Sequence, residues 1–200
     1  MSTSISGVTL LSITGLATVP AAVVGVVLAR EPQCAKWIIS GGWILTILAS
    51  GISILLDVST PTVGWVFLFF SMGLGHGLLL SSYNIKIQSI PKQEETSLST
   101  LPVIISNYVR TWGMAMSVPI GGMIFLKLFG QELHLVGLNS ELINTAKGYI
   151  ILMEQVQMSD SNREAIKGAA ALALRGVWEL ITGVAAVGGI SSAFLWRNYS

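Results

Sequence analysis

A single arginine within a long apolar stretch is the residue of this sequence best placed to do chemistry. Arg110 lies in residues 101–129, which are apolar enough and long enough to cross a bilayer. At about 1.5 Å per residue from Leu101, its charge would sit roughly 13 Å along a helix. A cation at that depth costs about 2.5–3.5 kcal/mol on insertion scales, so it usually faces a bundle interior or a watery cavity. Two roles fit this position: Arg110 binds an anionic group, or backbone carbonyls and neighbouring side chains satisfy it structurally.

Small and polar residues share the helix face of Arg110. Positions three or four apart are neighbours on a helix, which places Asn107 and Gly113 beside Arg110. Ser117 lies on the same face about two turns further along. This stripe predicts that the helix turns Arg110, Asn107 and Ser117 toward a cavity used by a substrate or by protons.

His76 is the second candidate, within the apolar residues 63–87. It lies about 20 Å along that stretch, which predicts roughly the same depth as Arg110. Tyr83 and Asn84 follow two turns later, near the same face. Because histidine can exchange a proton near neutral pH, His76, Tyr83 and Asn84 are candidates for a proton or substrate pathway. The other interpretation is a histidine that packs between helices with its ring hydrogen-bonded.

Six glycines in these two stretches are predicted to allow close helix packing, because small residues let transmembrane helices approach one another. They are Gly73, Gly75, Gly77, Gly113, Gly121 and Gly122.

The acidic residues offer no catalytic pair. Glu179 is the one acid inside a predicted span, and it stands four residues after Arg175, a spacing that favours a surface ion pair over a proton-carrying carboxylate. The chain has no His-Glu-x-x-His metal motif and no phosphate-binding loop. The sequence therefore predicts that the protein is not an enzyme and that it holds no metal and no cofactor.

The composition is that of a membrane protein. Of 200 residues, 52% are hydrophobic and 10% are charged, against about 25% charged residues in soluble domains. A net charge of +1 without a basic patch argues against a nucleic-acid partner. Cys34 is the single cysteine, which excludes an internal disulfide and a cysteine-ligated metal.

Five apolar stretches predict five transmembrane helices and an all-α membrane protein. The predicted spans are residues 7–29, 37–56, 63–87, 101–129 and 176–196. Residues 130–174 hold many of the charges and are predicted to form an outer loop, with short surface helices at 141–157 and 163–174. Lysines and arginines lie in the first and third loops and in the carboxyl-terminal tail, at Arg30, Lys36, Lys86, Lys92 and Arg197. The positive-inside rule places those segments in the cytoplasm.

Two segments resemble helices of fungal major facilitator superfamily transporters, in the branch of fourteen-helix drug:proton antiporters. NYVRTWGMAMSVPIGGMIF, residues 107–125, resembles the penultimate helix, which has an arginine, spaced glycines and an aromatic residue, here Arg110, Gly113, Gly121, Gly122 and Phe125. GWVFLFFSMGLGHGLLLSSYNIKIQSIP, residues 64–91, resembles the helix two earlier, with its Gly-x-Gly-x-Gly run and a glutamine before the loop, here Gln88. The turn after the first span departs from the superfamily's cytoplasmic motif, since Ala29 stands where that motif has an aspartate.

The resemblance implies a multidrug antiporter that exports small amphipathic compounds by alternating access, driven by proton influx. Its partners would be a small-molecule substrate, protons and the lipid bilayer, with the plasma membrane favoured over the vacuolar membrane. The resemblance also implies that this chain is a carboxyl-terminal fragment, the last five helices of the second bundle, with the amino-terminal bundle missing. The alternative is a non-transporting membrane scaffold or a truncated, inactive product, because substrate sites in this fold lie between two halves.

Overall fold

The computed structural model describes residues 3–56, 60–89, 101–135 and 160–198, and the regular elements within them are all helices. They are α1 Thr3–Leu28, α2 Pro32–Ser53, α3 Thr62–Ser89, α4 Leu101–Leu135 and α5 Asp160–Asn198. Four of them contain segments long and apolar enough to cross a membrane, at Cys34–Ser53, Thr62–Gln88, Leu101–Leu135 and Glu164–Phe194. In α1 the described apolar segment is the shorter Ser12–Leu28. The predicted all-α membrane fold is confirmed, and it is consistent with part of a major facilitator bundle.

α3 packs against α1 through a track of small residues. A side chain at Gly73 would collide with the backbone carbonyl of Thr14 and would meet the Cβ of Ala17 at 2.8 Å. A side chain at Gly77, one turn later, would meet the Cβ of Ala21 at 2.7 Å. Because the contacts advance in the same direction on both helices, α1 and α3 run parallel. Close approach through residues without side chains is the packing expected between transmembrane helices.

α2 lies between α3 and α5. Toward α3, a side chain at Gly75 would meet the Oγ1 of Thr46 at 2.5 Å, and that hydroxyl donates to the Gly42 carbonyl of its own helix. Toward α5, the indole ring of Trp43 covers Gly188. The helices α1, α3, α2 and α5 therefore form one connected series of close contacts.

The carboxyl-terminal third of α4 and the first half of α5 form an antiparallel pair with its own apolar core. The buried residues of this core are Phe129, Leu133, Ile166, Ala169 and Ala173. Next to it, Leu128 lies against Gly176. With 35 and 39 residues, α4 and α5 are about 52 and 58 Å long, whereas the hydrocarbon core of a bilayer is about 30 Å thick. The helix pair is therefore long enough to project beyond the membrane.

This helix pair replaces part of the predicted outer loop. The prediction of a separate surface helix at 163–174 is wrong, because α5 continues without a break from Asp160 to Asn198. The apolar residues of that stretch pack on α4, which gives this part of the helix a buried face. α4 likewise continues past residue 129, the predicted end of the span, to Leu135. The predicted helix at 141–157 lies outside the described residues.

The middle of α4 is exposed on all sides. Every residue from 107 to 120 is exposed in the described chain. A side chain added at Gly113, Gly121 or Gly122 would have no atom within 4 Å. Close packing at these three glycines stays a prediction, whereas Gly73 and Gly75 lie in helix contacts.

Candidate functional site

Three residues of α3 form a row that faces α5. Phe69, His76 and Tyr83 are seven positions apart, which is nearly two turns, so they share one side of the helix. The Phe69 ring meets Trp178 edge-on, with the ring centroids 6.0 Å apart. The Tyr83 hydroxyl donates to the Oγ of Ser192 at 2.9 Å. Both contacts join residues that are 109 positions apart in the chain, so α3 and α5 are parallel and keep one register along the row.

The stretch of α3 between these two contacts contains His76. By the same register, Ala185 of α5 is level with His76, and it is buried, so no open space lies against its methyl group. The two ends are 14 residues apart along α3, which corresponds to about 21 Å. His76 lies midway between them.

His76 presents one ring nitrogen away from its own helix. Its Nδ1 lies 2.9 Å from the carbonyl oxygen of Met72, one turn earlier. A carbonyl can only accept, so in the neutral ring Nδ1 carries the hydrogen and Nε2 has the free lone pair. The side chain is exposed in the described chain. Nε2 is therefore left available to accept a hydrogen bond or a proton.

Tyr83 is the centre of a hydrogen-bond chain that joins three helices. Trp43 of α2 donates its Nε1–H to the Tyr83 hydroxyl at 2.9 Å, and Tyr83 donates in turn to Ser192 of α5. An indole nitrogen can only donate, so protons cannot be relayed through this chain past Trp43. The structure thus places Tyr83 in a connection between helices, while Asn84 is half-buried one position further on and off the row.

The residues grouped around Arg110 lie apart from this row. Arg110, Asn107 and Ser117 are all on the exposed middle of α4. The Ser117 hydroxyl donates to the carbonyl of Met114 in its own helix at 2.8 Å. Arg110 therefore presents its charge on a surface that the described helices leave open.

The registers of the helices place Arg110 and His76 at different depths. α4 and α5 are antiparallel, and Leu128 lies against Gly176. Arg110 comes 18 residues before Leu128, so it is level with Phe194, which comes 18 residues after Gly176. His76 is level with Ala185, which comes nine positions before Phe194 in α5. Arg110 and His76 are therefore about 13 Å apart along the helix axes. The expectation of a common depth is therefore corrected, and the structure does not bring these two side chains together.

The predicted ion pair on α5 is confirmed. Arg175 Nε lies 3.5 Å from Glu179 Oε1, and both side chains are more than half exposed. An exposed pair of this kind contributes little to stability.

Sequence reasoning missed Trp43 and Ser192. Each looks like an ordinary residue of an apolar helix, and no spacing rule links positions that are 149 residues apart. The only signal was a tryptophan well inside a predicted span, since its indole N–H needs an acceptor when water is excluded.

Two curated fungal proteins are similar to this chain. The MFS transporter L2 of Phoma sp. is 25% identical over 163 residues, which are 80% of this chain and 27% of that protein. The MFS efflux transporter aclA of Aspergillus oryzae is 25% identical over 182 residues, which are 90% of this chain and 32% of that protein. The chain thus spans about a third or less of the length of these relatives. No family model and no solved structure matches it. The two distant homologues, together with the apolar helices, support membership of the chain in the major facilitator superfamily of integral, multi-pass membrane transporters.

Proposed function

We propose that the chain is part of a proton-coupled efflux transporter that exports small amphipathic compounds. A transporter role is supported by the two homologues, one of which is named an efflux transporter. The observation that carries the proposed proton coupling is the exposed side chain of His76 in the middle of α3, whose Nδ1 is bonded to its own helix so that Nε2 is left as the acceptor.

Proton coupling requires a group inside the membrane that can take up and release a proton during each cycle. Within the described spans, Arg110 cannot serve, because a guanidinium stays charged. Glu179 is exposed and already has a cationic partner in Arg175. Glu132 and His134 lie in the last turn of α4, whereas His76 lies in the middle of α3 with one ring nitrogen not used by its own helix, so we assign the proton to His76.

Arg110 has a separate part in this proposal. Its open face on α4 is a place for an anionic group of the substrate, since a guanidinium recognises carboxylates and phosphates through paired hydrogen bonds. We propose that the exposed middle of α4 is covered in the working transporter by a further helix of the same bundle and by the amino-terminal bundle. Alternating access in such folds takes place at the boundary between two bundles.

The test measures transport by membrane vesicles that contain the protein encoded by the full-length gene, of which this chain is a part. An amphipathic dye that carries a carboxylate is loaded and a pH gradient is imposed, and the initial rate of dye movement is measured per amount of protein. His76→Gln should lower the gradient-driven rate at least about tenfold, the size typical of losing one proton-transfer group. His134→Gln, which changes the other histidine at an exposed position of α4, is the matched control and should behave as the wild type.

Two results would contradict the proposal. Wild-type activity in His76→Gln would show that His76 does not carry the transported proton. No gradient-driven movement of any dye by the unaltered protein would favour the membrane scaffold instead.

A further inference from the structure

Basic residues from different helices come to one level of the bundle. α1 and α3 keep one register along their contact, because Gly73, Gly77 and Ser81 each lie against the residue 56 positions earlier, in α1. The same offset makes Lys86, in the last turn of α3, level with Arg30, just after the end of α1.

The other helices bring two more cations to this level. α2 is antiparallel to α3, with Gly42 against Leu79. Six residues before this contact in α2 comes Lys36, and six residues after it in α3 comes the residue that precedes Lys86. The registers of α4 on α5 and of α5 on α3 place Arg110 level with that same position of α3. All four levels agree to within about one helical turn. The four residues are named here the basic belt: Arg30, Lys36, Lys86 and Arg110.

A second charged level lies at the other end of the spans. It contains Lys127 of α4 and the Arg175–Glu179 pair of α5. Counted along α3, it is 16 to 20 residues from Lys86, which corresponds to about 24–30 Å. Between the two levels, the described parts of the five helices carry no Asp, Glu, Lys or Arg. Because the hydrocarbon core of a bilayer is about 30 Å thick, the two levels match its two surfaces. Arg110 therefore lies at one surface of the core, and not within it as expected from the start of its span.

Aromatic residues typical of a membrane interface flank the belt. Trp37, next to Lys36, is 81% exposed. Tyr108 and Trp112 stand on either side of Arg110, both exposed, with their ring centroids 6.4 Å apart. Tryptophan and tyrosine are enriched at the level of the lipid headgroups, where their rings meet both apolar and polar surroundings. These neighbours support the same depth for the belt as the spacing of the charges.

The belt carries an excess of positive charge. Arg30 and Arg110 are exposed, and the two lysines are half-buried. Among the residues that the structure describes, Glu31 is the one acid at this level, whereas Arg175 at the other level is paired with Glu179 at 3.5 Å. A group of cations at headgroup depth attracts anionic lipids, and a guanidinium binds phosphate and carboxylate through paired hydrogen bonds.

We propose that the basic belt binds the headgroups of anionic phospholipids in one leaflet, and that Arg110 is one of its members. The positive-inside rule makes this the cytoplasmic leaflet. An anionic group of a substrate would meet Arg110 at this same depth. The inference goes beyond the proposed transport function, and lipid binding is measured without a dye or a pH gradient, so either proposal can fail alone.

The test uses the purified full-length protein in mild detergent, with equal amounts of phosphatidylserine and phosphatidylcholine that have the same acyl chains. Native mass spectrometry gives the ratio of protein bound to each lipid, which should favour phosphatidylserine. Arg110→Gln removes the charge and keeps a polar side chain, so it should lower the ratio about fivefold, the size expected for one cation at an anionic surface. Arg175→Gln makes the same change at the other charged level and should leave the ratio unchanged.

Two further variants keep the proposal open to refutation if Arg110→Gln fails to fold. Arg30→Gln lies outside the helices and should lower the ratio by a similar factor. Arg110→Lys keeps the charge and should retain the wild-type ratio within about twofold. A wild-type ratio near one would overturn the proposal, and so would an unchanged ratio in folded Arg110→Gln or in Arg30→Gln. Equal falls in Arg110→Gln and Arg175→Gln would also overturn it, because the position of the charge would then be irrelevant.

Discussion

Replacing Gly77 by alanine should destabilise the contact between α1 and α3, which holds the amino-terminal helix in the bundle. The new Cβ would lie 2.7 Å from the Cβ of Ala21 and 3.0 Å from the backbone nitrogen of Ala22. Carbon atoms pack best at about 3.5–4.0 Å. Because these neighbours are backbone or the first side-chain atom, no rotamer can relieve the contact, and α1 must retreat by about 1 Å.

The size of the effect follows from two opposing terms. Overpacking costs about 1–3 kcal/mol, and a contact with backbone belongs at the upper end of that range. Alanine in place of glycine recovers about 0.8–1 kcal/mol of helix propensity. The net loss is about 2 kcal/mol, which is roughly a 30-fold change in the unfolding equilibrium at 1.36 kcal/mol per factor of ten. In Gly113→Ala the added Cβ has no atom within 4 Å, so only the gain in helix propensity remains.

The assay is unfolding in mixed micelles as the fraction of sodium dodecyl sulfate is raised, followed by far-ultraviolet circular dichroism. Gly77→Ala should unfold at a lower detergent fraction than the wild type, and Gly113→Ala at the same fraction or a higher one. Gly75→Ala should fall between them, because one of its close neighbours is the Thr46 hydroxyl, which can rotate away. Equal midpoints for Gly77→Ala and Gly113→Ala would refute the packing argument.

The four long apolar helices of the described residues were predictable because hydropathy depends on local composition. The length of α5 was not predictable, because residues 163–174 include the charged residues Glu164 and Lys167, and charges at this density are typical of a surface loop. In the structure these two residues lie on the exposed side of α5, while Ile166 and Ala169 are buried against α4. The buried side of such a helix segment is recognised only once its partner is known.

The arrangement of the candidate site was predictable only in part. His76 and Tyr83 could be placed on one face of α3 from their spacing alone. The depth of Arg110 relative to His76 could not be predicted. Depths counted from predicted span ends assume that every helix ends at the membrane surface. In the structure, the contact of Leu128 with Gly176 and the shared core around Phe129 fix the register of α4 and α5.

Three further predictions concern topology, completeness and charge. Cys34 is exposed at the start of α2 and is predicted to face the cytoplasm, so a membrane-impermeant thiol reagent should not label it in intact cells; rapid labelling from outside would reverse the orientation. Proteoliposomes that contain this chain alone should show no proton-driven dye movement, because alternating access needs a second bundle, and saturable, gradient-dependent uptake would contradict this. In the full-length protein, Arg110→Lys should keep appreciable transport per amount of surface protein, whereas Arg110→Ala should lose it. Normal specific activity in Arg110→Ala would show that the charge has no role in transport.

The separation between Arg110 and His76 also predicts how their substitutions combine. An axial distance of about 13 Å is beyond the range in which two such groups usually couple. Groups more than about 7–10 Å apart without shared partners usually contribute independently. The losses in transport efficiency caused by His76→Gln and Arg110→Ala should therefore multiply in the double variant, within about a factor of two. The four proteins are compared by initial rate at low dye concentration, normalised to surface protein. A double variant no worse than the weaker single variant would mean that the two residues act on one group, and the depths assigned to them here would be wrong.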